Sequence, residues 1–229
     1  MKTISTKENL QVLYEDNHII AVNKRVGDIV QGDKTGDKPL SDVVKEYIKG
    51  KYNKPGEVFL GVVHRLDRPT TGIVVFARTS KALTRLNELF KNRETQKTYW
   101  AVVKNKPPQN SATLTHYLKR NEKSNTSKAH VNEVPDSKIA KLDYKVIKEL
   151  DSYTALEINL HTGRHHQIRA QLSAIGSPIK GDLKYGASRS NPDGGIHLHA
   201  RRLFFIHPVS KEAITIIAPV PDDKVWSAI

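Results

Sequence analysis

GVVHRLDRPTTGIVVFA, residues 61–77, sets one carboxylate, Asp67, between two arginines and a threonine pair, with a short apolar run on either side. The runs GVV and GIVVFA are too short for helices and are bounded by turn formers, so they read as buried strands meeting at the charged segment. A plain turn favours Gly or Asn. A charged one points to a side chain being aimed, because a turn between two rigid strands holds one group in a fixed direction. Arg65 and Arg68 favour the carboxylate form of Asp67, which suits a nucleophile or a base. The bland alternative is a turn-capping aspartate with solvated arginines.

Toward the N-terminus, LQVLYEDNHIIAVNK predicts two short strands around an Asp16–Asn17 turn. RVGDIVQGDKTGDK carries three Gly-Asp pairs, read as turns because the G-x-x-x-x-G-K-[ST] phosphate spacing is missing. Ser41 is expected to cap a helix running to about Tyr52, with Val43, Val44, Tyr47 and Ile48 on one face. A strand over Val58 to Val63 leads into the opening stretch, and Gly72 to Ala77 forms the strand after it. Ser80 is expected to cap a second helix, KALTRLNELFKNR, with Leu83, Leu86, Leu89 and Phe90 as its buried stripe.

Toward the C-terminus, TQKTYWAVV reads as a strand that Pro107–Pro108 ends. Residues 119–138, KRNEKSNTSKAHVNEVPDSK, are polar, basic and poor in core formers, which predicts a long exposed loop. Strands around Ala140 to Lys148 and Tyr153 to Leu160 follow. HTGRHHQIRAQLSAIG then switches to helical periodicity, with Ile168, Leu172 and Ile175 inward and Gly176 as C-cap. IHLHARRLFFIHP and AITIIAP are late strands. Many short strands among few helices predict an α+β fold with a mixed, mainly antiparallel sheet in one domain spanning residues 1–229. A doubly wound dinucleotide fold would need G-x-G-x-x-G after the first strand, and the sequence lacks it.

Composition narrows the chemistry. The 229 residues carry a net charge of +13, which points to a polyanionic partner, since each cation that neutralises a phosphate releases a counterion. Zero cysteines exclude disulfides, thiolate nucleophiles and Cys-ligated zinc. MKTISTKENL lacks a signal-peptide core and no apolar run reaches bilayer length, so a soluble, cytoplasmic protein without membrane contact is expected. In HTGRHHQIR, Gly163 provides a turn, and the helix after it presents Arg164, His165, His166 and Arg169 near its positive end, a place for an anion. His161 and His165 have helical metal spacing, but a glycine lies between them and the H-E-x-x-H glutamate is missing, so no metal is expected.

LYEDNHIIAVNK, GVVHRLDRPTTGIVVFA, QKTYWAVV, LHTGRHHQIRAQLSAIGSPIKGDLKYG and IHLHARRLFFIHP, in that order, resemble the RluA-type pseudouridine synthases. The resemblance runs from about Val12 to Pro219, and HRLD together with GRxHQIR makes it specific. It implies a sheet split by a central catalytic cleft and flanked by helices. It also implies isomerisation of a uridine in ribosomal or transfer RNA without a cofactor, by a monomer that needs no protein partner.

By the same resemblance Asp67 is the catalytic carboxylate, Tyr99 the cleft tyrosine and Arg169 the basic partner of the aspartate. His64, Arg65, Arg68, Thr71, Arg164, His166 and Gln167 are then the substrate contacts. Relatives often carry a small RNA-binding domain ahead of the catalytic one; here the catalytic pattern already begins at Val12, so none is expected. Arg25, Thr71 and Gln171 depart from the proline, serine and histidine usual at those places.

Overall fold

The computed structural model describes residues 4–229. In chain order the strands and helices are β1 (Val12–Glu15), β2 (Ile19–Lys24), α1 (Leu40–Lys51), β3 (Gly61–Val62), β4 (Thr71–Ala77) and α2 (Ser80–Lys91). Then come β5 (Gln96–Val103), β6 (Ser111–Asn121), β7 (Thr126–His130), β8 (Lys138–Glu149), β9 (Thr154–Leu160), α3 (Gln167–Ala174), β10 (Leu198–Ile206) and β11 (Ala213–Ile217). The fold class is α+β, and the chain forms two compact units, 1–96 with 200–220, and 97–199 with 221–229.

In the first unit β2 pairs antiparallel with β1 and β4, and β10 with β11. The continuous apolar run of β4 has a simple cause. Alternate residues point to opposite faces of a strand, and here both faces are covered. Ile73, Val75 and Ala77 pack with Ala82 and Leu86 of α2, whereas Val74 and Phe76 pack with Leu40, Val43, Val44 and Ile48 of α1. Gly72, the second residue of β4, has φ +111, with the Ala200 backbone so close that a Cβ could not be accommodated. That position accepts only glycine without strain.

Three local expectations in this unit need correction. Ser41 does not cap α1: the N-cap is Pro39, no side-chain bond is made there, and Ser41 is buried with its N–H on the Val30 carbonyl at 3.2 Å. The cap of α2 is Thr79, whose hydroxyl accepts the Ala82 N–H at 3.2 Å, one residue before Ser80. The strand expected over Val58 to Val63 pairs only at Gly61 and Val62.

The second unit is a sheet of order β5–β9–β8–β6–β7, antiparallel at every step. Its inward row, including Ala101, Leu114, Leu142, Leu156 and Ile158, packs with Ile168 and Leu172 of α3. Thr113, Lys141 and Lys145 on the other face are exposed, so these strands alternate where β4 does not. Gly176, at φ +78, follows α3, and the Ser177 N–H reaches back to the Leu172 carbonyl at 3.0 Å. The long loop expected over 119–138 is instead the β6–β7 hairpin followed by a turn. Leu118, Ser127 and Ala129 supply its inward side, and a serine and an alanine give no core signal in sequence.

Candidate active site

In the first unit, the turn after β3 is held by a buried cation. Lys24, 1% exposed at the end of β2, donates from Nζ to the carbonyls of Arg25 at 3.0 Å, Arg68 at 3.0 Å and Thr70 at 2.7 Å. An ammonium taken out of water needs such acceptors, and here two of the three lie within three residues after Asp67. The Gly27 N–H adds a bond to the Arg68 carbonyl at 3.0 Å, and the Thr70 N–H closes a four-residue turn onto the Asp67 carbonyl at 3.0 Å. Asp67 itself is half-buried. The Gly27–Asp28 pair contributes from the other side: the buried Asp28 carboxylate accepts from Ser5 N at 3.0 Å, Ser5 Oγ at 2.7 Å and Arg25 N at 3.1 Å.

The neighbours of Asp67 divide by task. Arg65 is exposed. Arg68 donates Nε to the Gly27 carbonyl at 3.1 Å and pairs through Nη2 with Asp37, so its guanidinium braces the turn. His64 Nε2 accepts the Val75 N–H at 3.0 Å while its ring stacks on Phe90 at 4.8 Å, which puts the ring proton on Nδ1. Thr71 is buried at the start of β4.

In the second unit, Tyr99 lies on β5, half-buried against the core row. Arg169, 4% exposed in the first turn of α3, forms a two-pronged pair with Asp182: Nε to Oδ2 at 2.7 Å and Nη2 to Oδ1 at 2.8 Å. The guanidinium also stands 4.9 Å from the centre of the Tyr185 ring. Such a fork fixes the plane of the arginine as well as its charge. Gln167 is 3% exposed and spans the HTGR turn, accepting from Thr162 Oγ1 at 2.7 Å and Arg164 N at 3.0 Å and donating to the Lys141 carbonyl at 3.1 Å. Arg164 donates Nε to the Ile139 carbonyl at 3.0 Å. His166 is the left-handed N-cap of α3, its Nδ1 2.9 Å from the Tyr185 hydroxyl.

Several of these roles escaped the sequence. Nothing in the sequence marks Lys24, Asp28, Asp182 or Tyr185 individually, although Asp182 and Tyr185 stand inside the IKGDLKYG stretch. A Gly-Asp pair reads as turn chemistry from composition, and only the fold reveals that its carboxylate meets an arginine. His161 pairs with Asp143 at 2.6 Å and His165 with Ser127, so the two do not converge as ligands. Among the described residues no cluster of three or more His, Asp or Glu side chains could hold a metal, and no helix is long and apolar enough to cross a membrane.

Residues 18–174 match the family described as RNA pseudouridylate synthase. Ribosomal large subunit pseudouridine synthase D of Xylella fastidiosa is 34% identical over 228 residues, covering 93% of this chain and 67% of that protein. The protein of the same name from Xanthomonas campestris is 35% identical, with the same shares covered. The solved structure of human RNA pseudouridylate synthase domain containing 4 superposes with a TM-score of 0.80 at 24% identity, covering 95% of this chain and 91% of that one, a likeness of fold.

Proposed function

Because the chain belongs to the RNA pseudouridylate synthase family, we propose that residues 1–229 act as one catalytic domain that isomerises a specific uridine in structured RNA, with Asp67 at the sugar. The reaction breaks a nitrogen–carbon glycosidic bond, turns the freed uracil and rejoins it through carbon. No atom or electron is gained or lost, so the chemistry calls for no redox partner or group donor. The target base is buried in stacked RNA and must be extruded at a cost of a few kcal/mol, offset by stacking and phosphate contacts.

Asp67 acts either by adding to the anomeric carbon or by removing the neighbouring ring proton to give a glycal. Both routes need the carboxylate aimed and still. The observation that carries this reading is the support of its turn: a fully buried ammonium bonded to the carbonyls of Arg68 and Thr70 is far more than a solvent-facing loop requires. By the family resemblance Arg169 is the basic partner of the catalytic aspartate, and its plane is fixed by Asp182. Tyr99 stacks on the uracil and passes the proton from carbon 5, directly or through water; stacking is its main role, since a tyrosine hydroxyl with an ordinary pKa of about 10 is a weak base. Arg65 and Arg164 meet phosphates, and Arg68 does so with the part of its guanidinium that Gly27 and Asp37 leave over. His64, Thr71, His166 and Gln167 shape the walls on which substrate rests. The same reading makes the enzyme a cofactor-independent monomer of the cytoplasm.

The relatives named for the large ribosomal subunit make its RNA the first substrate to test, with transfer RNA as the second arm. Tritium release from uridine labelled at carbon 5 reports turnover. Asp67→Asn keeps the shape and loses the charge, so release should fall by at least roughly 10²–10⁴-fold while RNA binding persists. A variant with ordinary turnover would remove Asp67 from the chemistry.

A further inference from the structure

Four polar side chains of the second unit, Ser127, His165, His166 and Tyr185, tie the β6–β7 hairpin to the start of α3. The Tyr185 hydroxyl accepts the Ser127 N–H at 2.7 Å and lies 2.9 Å from His166 Nδ1. Ser127 Oγ donates its one proton to the His165 carbonyl at 2.8 Å, so toward His165 Nδ1, at 3.0 Å, it accepts. Ser127 is 5% and Tyr185 7% exposed, which keeps water from competing for these bonds.

The residue they hold is strained. His166 has φ 52 and ψ 27, a left-handed conformation that a residue other than glycine holds only at a cost. Its ring stacks on His165 at 3.8 Å and meets Tyr185 edge-on at 5.6 Å. Three residues further on is Arg169, over the face of the same Tyr185 ring at 4.9 Å. Tyr185 thus touches the hairpin and the strained cap with its oxygen, and the arginine with its ring. The hairpin brings one cation to the same face as this junction: Arg120 stands opposite Ser127 in the ladder, whereas Lys119 and Lys128, opposite each other, lie on the other face.

We propose that Ser127 and Tyr185 are positioning residues through which the β6–β7 hairpin sets the orientation of Arg169, so that phosphate held by the hairpin and the alignment of the catalytic arginine are coupled. The proposal rests on the reading that Arg169 serves the isomerisation. A phosphate drawn to Arg120 acts on the strand pair whose inward serine holds the His165 carbonyl, and a shift there reaches α3 through the least relaxed residue of the segment. Left-handed His166 has a regular conformation to fall back to once Tyr185 no longer holds it.

Tyr185→Phe keeps the ring under Arg169 and deletes the oxygen; Ser127→Ala deletes Oγ and keeps the amide; Ser127→Thr restores a hydroxyl. Single-turnover rates at saturating enzyme, normalised to the reactive fraction, should fall about tenfold in Tyr185→Phe and Ser127→Ala and return to within about twofold in Ser127→Thr, with RNA Kd unchanged throughout. Amide exchange over 164–170 should quicken in the first two variants and not in the third. Ordinary rates, a loss that follows Kd, or a loss that threonine does not rescue would overturn the proposal. If the unaltered chain forms no pseudouridine, the functional reading fails on its own, and exchange still decides the link: quickened in Tyr185→Phe it stands, unchanged it falls.

Discussion

Lys24 concentrates the residue-scale argument, because its fully buried charge serves backbone carbonyls of the turn that carries Asp67. Lys24→Met keeps the length and removes the donor. Each buried carbonyl left without a partner costs about 1–3 kcal/mol, while loss of the ammonium's desolvation penalty works in the opposite direction. Global stability should therefore change little while the turn loosens, and a misplacement of about 1 Å in a catalytic group costs roughly 10²-fold. The expected outcome is a single-turnover rate reduced roughly 10- to 100-fold with Tm lowered by no more than about 4 °C; an unchanged rate would mean that the turn holds without the ammonium. Asp67 was legible from sequence because a carboxylate between arginines is out of place in a plain turn. Lys24 was not, since a lysine at the end of an apolar strand reads as its solvated terminus. Nothing local to IIAVNK says that the side chain turns inward, and two of the three acceptors that make this tolerable lie more than forty residues away.

At the scale of elements, period and burial decide what sequence can reveal. β4 reads as a strand because its run is short, and α1 and α2 because their apolar residues recur every three or four places. Their starts lie one or two residues before the serines that the sequence offers as caps, at Pro39 two residues ahead of Ser41 and at Thr79 one ahead of Ser80. The hairpin reads as a loop for a different reason: its inward side is a leucine, a serine and an alanine, and Ser127 is buried for its bonds rather than its apolarity. The stripe of α2 is graded in the same physical terms. Leu86 is fully buried, whereas Leu83, Leu89 and Phe90 are only partly covered. Leu86→Ala should thus lower the unfolding free energy by about 2–5 kcal/mol, measured by denaturant titration, and Leu83→Ala by clearly less. Equal losses would show that the helix is held by its whole stripe instead of one anchor.

For the whole molecule, the net charge of +13 sets a field that draws RNA from any direction, but only cations placed along the bound strand release counterions. Lys119, Arg120, Lys123 and Lys128 are exposed on one hairpin, where short strands keep them together. A loop of the same composition would spread them and would lose more chain entropy on binding. Charge reversal of these four should weaken RNA binding and make the slope of log K against log salt shallower by about 3, as expected for single-stranded contacts. Reversal of Lys7, Lys34, Lys49 and Lys54, equally exposed, changes net charge by the same amount and should leave that slope in place. If both sets lower affinity alike with equal slopes, the attraction is a property of total charge and the hairpin grips nothing; a slope change confined to the hairpin set makes it a true phosphate contact.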